Sequence, residues 1–170
     1  MVHGDRANFA LLRSWIQECK SAQPRSHPHC NSKSHQNFSE ISVIDCFSRK
    51  IVPLESGEEY LTLSYVWGDR LQLTNEKTGA DIVPFPAPAT IEDAMEATKQ
   101  LEQRYLWVDR YCIKDTEDKH LQIQNMGLVY ESALATLVAV EGVNSESGLP
   151  GVSFPRPNQP CVKASQSRRE

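Results

Sequence analysis

The chain has 170 residues, 39% of them hydrophobic and 24% charged, with a formal net charge of −4. That length holds one domain, and a domain of this size buries roughly two thirds of its unfolded surface without disulfide staples. The acidic balance excludes a general phosphate-backbone binder, which presents a basic face, so no nucleic-acid partner is expected. The basic pair Arg168-Arg169 is followed at once by Glu170. The apolar run Ala133–Val140 already contains Thr136 and falls far short of the ~20 residues of a spanning helix, so no membrane association is expected. Met1–Arg6 lacks the basic and apolar regions of a signal peptide, which predicts the cytoplasm. Five cysteines are an odd number in a chain of this length, and reduced thiols are the expectation.

In chain order, Phe9, Leu12, Ile16 and Cys19 recur as one apolar stripe and predict a helix over 5–20. Residues 21–39 turn to Ser, His, Asn, Pro and Gln, the composition of a linker. Ile41–Cys46 alternates like a strand, and Ile51–Leu54 is its hairpin partner. Tyr60–Val66 is rich in aromatic and β-branched residues, as strands covered on both faces are. After a turn-rich segment ending in Pro84-Phe85-Pro86-Ala87-Pro88, Thr90 opens a helix with Asp93 three positions on, close to a capping box. Ile91, Ala94, Met95, Thr98 and Leu101 form its apolar face. Tyr105–Asp109 reads as a second buried strand. A helix over 117–132 follows, with Ile123, Met126, Tyr130 and Ala133 inward, and Leu134–Val140 is a third strand.

Strand, helix, strand, helix, strand is the order of a parallel sheet with right-handed crossovers. The predicted fold class is α/β, a parallel-sheet core of β-α-β-α-β carrying an N-terminal helix and a short hairpin. The expected division is a helix and polar linker over 1–40, an α/β domain over 41–160 and a disordered tail over 161–170.

Ligands of such sheets collect at the carboxyl ends of the strands. Those ends supply Trp67-Gly68-Asp69, Asp109-Arg110-Tyr111-Cys112 and Glu141-Gly142. The candidate edge comprises Ser64, Trp67, Gly68, Asp69, Asp109, Arg110 and Cys112, with Gln122 on the helix that begins beside them. No glycine-rich phosphate loop is present, and no cofactor is assigned. Cys112 has two readings: a nucleophile with His120 as base and Asp109 as orienter, or a small buried core residue, the commoner use. Cys19, His27, His29 and Cys30 bring zinc-type donors together, but their spacing fits no common finger and no metal is assigned. Trp67 and Trp107 cover strand ends more often than they stack on a ligand. A carboxylate at Asp109, where a buried strand meets a loop, must be paired or must be chemically active.

Several of these segments resemble, in order, the fungal heterokaryon incompatibility (HET) domain. Tyr60–Asp69 is similar to its opening motif, and Thr90-Ile91-Glu92-Asp93-Ala94 to its Thr-Ile-x-Asp-Ala helix start. Arg104–Ile113 resembles its central Tyr-Leu-Trp-Val-Asp-x-x-Cys-Ile motif. Gln122-Ile123, Met126-Gly127, Tyr130 and Ala133 match the helix after it, and Gly148–Val152 a segment that follows the third strand. Trp15, Cys19, His27 and Cys30 resemble the region before the domain. The family continues Cys-Ile with Asp or Asn and then Gln, where this chain has Lys114-Asp115; if those residues serve a ligand, the resemblance implies a weakened copy. Family members commonly carry long carboxyl-terminal regions, so a truncated product or a fragment is expected.

The resemblance implies an intracellular module of fungal non-self recognition that promotes programmed cell death through protein partners or self-association. It also implies a distant relation to TIR domains, whose flavodoxin-like core is a parallel sheet wrapped by helices. Some TIR domains cleave NAD, so an NAD-hydrolysing enzyme is the alternative.

Overall fold

A computed structural model describes residues 5–21, 41–68, 81–113 and 119–156. The polar linker over 22–39, the tail over 161–170, and Asp69, Lys114 and Asp115 lie outside the described residues. Helix α1 spans Phe9–Ser21. It starts four residues later than the apolar stripe predicts, because Asn8 Oδ1 accepts the Leu11 N–H at 3.0 Å in the manner of an N-cap. Phe9, Leu12 and Ile16 pack against the core, whereas Cys19 is exposed.

The remaining elements are β1 Ser42–Asp45, β2 Ile51–Pro53, β3 Tyr60–Ser64, α2 Ala89–Gln100, β4 Tyr105–Trp107, α3 Asp109–Cys112, α4 Lys119–Gln124, α5 Met126–Ser132 and β5 Ala135–Val138. Five strands form one sheet in the order β2-β1-β4-β3-β5. Strand β3 pairs parallel with β4 (Leu61 opposite Leu106) and parallel with β5 (Thr62 opposite Thr136). The three segments expected to be parallel neighbours are so. The sheet as a whole is mixed, because the expected hairpin joins it antiparallel through β1. Here β1 pairs antiparallel with β4, placing Ile44 opposite Leu106, both fully buried. The apolar residues Val43 and Ile44 thus cover a strand edge that would otherwise face water.

An interior position, with β4 on one side and β5 on the other, explains the burial of β3. Tyr60, Leu61, Thr62 and Leu63 are all buried, as in a strand covered on both faces. Tyr60 Oη donates to Val129 O of α5 at 2.7 Å, and the Trp107 ring meets Tyr130 edge-on at 5.5 Å. Between the strands, the Thr62 and Thr136 hydroxyls hydrogen-bond at 2.8 Å.

Three expectations, two for helices and one for a strand, are corrected. Helix α2 begins at Ala89 after Pro88, and Thr90 does not cap it; the Thr90 and Asp93 side chains face the loop that follows β5. Instead, Glu92 Oε1 reaches back to the Ala87 N–H at 2.7 Å. The predicted strand over 105–109 ends at Trp107, because the Tyr111 and Cys112 amides turn back to Val108 O and open α3. The helix over 117–132 is two, broken at Asn125. That break resets the helical phase, so Ile123 is exposed and Val129 takes the buried position.

Arg49 ties the hairpin to the rest of the molecule. Its guanidinium grips Glu92 of α2 through two bonds, at 2.8 and 2.7 Å, and also donates to Pro84 O. Its backbone takes the Val83 N–H at 2.8 Å. At the same end of β1, buried Asp45 pairs with Arg104 at 2.9 Å.

Candidate functional site

The chain leaves β3 for β4 on one side and returns to β5 on the other, a reversal of direction outside which ligands collect in open α/β sheets. The carboxyl ends of these strands define one edge. After β3, Tyr65–Gly68 runs out of the sheet, and the Trp67 indole crosses to α3. Its Nε1–H donates to both carboxylate oxygens of Asp109, at 3.1 and 3.0 Å. The Arg110 backbone N–H adds a third bond to Asp109 Oδ1 at 2.7 Å. The pairing that Asp109 requires therefore comes from an indole and a main-chain amide.

Burial raises the pKa of Asp109 above the ordinary aspartate value, against the pull of the Arg110 N–H, the Trp67 indole and the Arg110 charge. The Trp67 side chain keeps 37% of its surface exposed, so one polar edge of the ring is engaged while apolar area stays open to solvent. Tyr65 lies below. Its hydroxyl is buried with no hydrogen-bond partner among the described residues, and burial, with the nearby Asp109 charge, pushes its pKa upward.

Gly68 shows how closely the edge is built. Its φ of +87° is a left-handed conformation that side chains disfavour, and a Cβ there would fall 2.7 Å from Asn144 Cβ. The turn after β3 thus presses on the loop after β5. That loop is laced internally, with the Val143 and Asn144 amides donating to Ser147 Oγ at 3.1 and 3.3 Å. Helix α2 anchors it: Ser145 O accepts the Thr90 N–H, Thr90 Oγ1 accepts the Gly148 N–H at 3.0 Å, and Asp93 Oδ2 accepts the Leu149 N–H and the Ser153 hydroxyl, each at 2.6 Å.

The structure thus joins Trp67, Asp109 and Arg110 directly, and brings Gly68 against Asn144. Ser64 closes β3, its carbonyl accepting the Ala139 N–H at 2.9 Å. Cys112 lies beneath the edge, 4% exposed, its Sγ accepting the Val108 N–H at 3.3 Å, and burial pushes its thiol up to about 12. A thiol held neutral in this way packs rather than attacks, and His120, the base proposed for it, is exposed on α4. Gln122 lies half-buried on α4, an element apart from α3. Asp69, His27, His29 and Cys30 lie outside the described residues, and those residues contain no group of three His, Cys, Asp or Glu side chains able to hold a metal. Sequence reading missed Tyr65 and Asn144. Tyr65 sits in a strand motif where aromatic residues read as core, and Asn144 follows the third strand in a segment whose composition signals only a loop.

Comparison with known proteins gives the following. Residues 60–170 match the family model described as heterokaryon incompatibility protein (HET). A curated relative, heterokaryon incompatibility protein 6, OR allele, of Neurospora crassa, is 29% identical over 125 residues, covering 62% of this chain. The match spans 18% of that relative's length. No solved structure matches the chain. No described helix is long and apolar enough to cross a membrane.

Proposed function

This chain belongs to the heterokaryon incompatibility (HET) family, and from that premise we propose that it is a signalling module of fungal vegetative incompatibility that promotes programmed cell death. Its working surface is the carboxyl edge of β3 and β4. The observation that carries this reading is the Trp67–Asp109 link: an indole from one strand end holds a carboxylate from the next, with its pKa raised by burial and one apolar ring face still exposed. The Trp67 indole and the Arg110 N–H orient this carboxylate, the Arg110 charge acts on it, and the partly exposed Trp67 beside it is offered to a partner. Parallel pairing in the order β4-β3-β5 corresponds to the first three strands of a flavodoxin-like sheet, which supports a TIR-like core with an antiparallel hairpin added at one side. The module works in the cytoplasm through protein partners or self-association.

Asp109→Asn tests the surface. The change preserves shape and one acceptor oxygen but removes the charge. The expected result is loss of cell killing in a fungal death assay with the melting temperature unchanged or raised. A stable, fully active variant removes Asp109 from the site. Lys114-Asp115 stand where the family has Asp or Asn followed by Gln, so the wild type is tested beside a Lys114→Asp, Asp115→Gln double variant. A second reading, NAD hydrolysis, draws on the same half-exposed Trp67 ring and the raised Asp109 carboxyl. Release of nicotinamide from NAD by the pure protein, abolished in Asp109→Asn, supports it; no release removes it.

A further inference from the structure

One polar atom at the proposed edge is left over. The Tyr65 hydroxyl is shut off from solvent and has no hydrogen-bond partner among the described residues. A buried polar group without a partner costs stability, and natural folds keep few of them. Its place in the fold brings it to Asp109. In the parallel register Thr62 lies opposite Trp107; Tyr65 stands three positions on from the first, and Asp109 two on from the second. Burial raises the pKa of Tyr65 and the Asp109 charge raises it further, so the hydroxyl stays protonated and keeps an O–H to donate. The hydroxyl of Tyr130, which also feels the Asp109 charge, is already committed to Leu63 O at 3.2 Å.

The bonds around Asp109 are unevenly shared. Its Oδ1 accepts both the indole at 3.1 Å and the Arg110 N–H at 2.7 Å, whereas among the described residues Oδ2 accepts the indole alone, at 3.0 Å. Trp67 is 37% exposed and sits on a segment that is neither helix nor strand. If its ring turns outward, Oδ2 is left bare in a buried setting, which is costly. We infer that Tyr65 is a positioning residue of this site: when the Trp67 indole turns outward to a partner, the Tyr65 hydroxyl donates to Asp109 in its place. The exchange repairs two faults at once, because the carboxylate keeps a donor and the orphaned hydroxyl gains an acceptor. Trp67 is released at less cost, and Asp109 stays oriented and ionised beside it. The inference rests for its biological meaning on the reading of Trp67 and Asp109 as a partner surface; the exchange of donors depends only on these three side chains.

Titration of Asp109 in the full chain, followed by NMR of its carboxyl carbon, tests the exchange through a double-variant cycle. Trp67→Phe deletes the indole N–H, and Tyr65→Phe deletes the hydroxyl. Alone, Tyr65→Phe should leave the proton affinity of Asp109 within about twofold of wild type, since the hydroxyl is idle there, and should melt at the wild-type temperature or above. Added to Trp67→Phe, the same change should raise that affinity about threefold or more, because the carboxylate then loses its second donor as well. The Tyr65 ring carbon that bears the hydroxyl should also shift between wild type and Trp67→Phe, a readout that needs only the single variant. Equal effects of Tyr65→Phe in the two backgrounds overturn the exchange, with water rather than Tyr65 replacing the indole. A lower melting temperature for Tyr65→Phe overturns it too, by showing that the hydroxyl already has a partner. Killing assays keep the two readings apart: if Asp109→Asn kills as well as wild type, the partner surface fails while the titrations still decide the exchange.

Discussion

Asp109 holds a charge that its surroundings disfavour, and the donors around it decide how much of that charge survives. Burial raises its pKa, while the Arg110 N–H and the Trp67 indole oppose the rise. Trp67→Phe keeps most of the ring and deletes the N–H. Removing a donor to a carboxylate favours its neutral form, so the Asp109 titration, followed by NMR of the carboxyl carbon, should move further up. The sign for stability follows. A folded pKa above the unfolded value means that ionisation opposes folding, so the deficit of Trp67→Phe should be largest above the folded pKa and fade as pH falls below it. An unchanged Asp109 titration would show that the indole bond does not persist in solution. The need for a partner at Asp109 was legible in the sequence, since a strand-end carboxylate in low dielectric demands one. The identity of that partner was not, because Trp67 lies 42 positions away and only the parallel register of β3 and β4 brings the two strand ends together.

At the scale of elements, Thr90 and Asp93 show a local pattern used for a distant purpose. Their spacing reads as a capping box, yet Asp93 is 7% exposed and binds Leu149 and Ser153 rather than its own helix end. Two segments far apart in the chain are thus one device, a clamp of α2 on the loop after β5. Asp93→Ala should cost about 1–3 kcal/mol by leaving a buried amide and a hydroxyl without an acceptor. Asp93→Asn, which keeps one oxygen, should recover part of the loss in urea melts. Proteolysis should open the 148–153 loop first in the alanine variant, and a midpoint that does not move would show the clamp to be dispensable. The same logic explains what else was legible. Pattern placed α2, β3 and β5 for different reasons: α2 buries one apolar stripe, β3 is a short apolar run buried on both faces, and β5 alternates between half-buried and exposed positions. It missed the joint at Asn125, where no Pro interrupts the apolar periodicity and the nearby Gly127 lies inside the second helix, and it could not show the hairpin completing the sheet, since Val43 and Ile44 look alike against any apolar surface.

For the whole molecule, the hairpin, the 82–88 segment and α2 converge on one ion pair. Arg49 and Glu92 are both mostly withdrawn from solvent, their side chains 22% and 28% exposed, and Glu92 also accepts the Ala87 N–H. The bidentate bond to Arg49 lowers the pKa of Glu92 despite its partial burial. A carboxylate with a lowered folded pKa stabilises the fold above its unfolded value and loses that contribution as pH falls through the folded one. Asp45 adds to the same limb: burial alone would raise its pKa, but Arg104 and the Phe47 N–H hold it lower. Glu92→Gln removes the charge while keeping an acceptor for Ala87 or Arg49. At neutral pH it should cost about 1–3 kcal/mol, the range for a charge-assisted hydrogen bond in a partly buried setting. The gap from wild type should then narrow as pH falls below the carboxylate range, because acid removes from the wild type what the substitution has already taken. Urea melts at neutral pH and in acid measure both quantities. A gap that stays constant with pH would mean that Glu92 acts through shape rather than charge, and that the hairpin is held to α2 by packing alone.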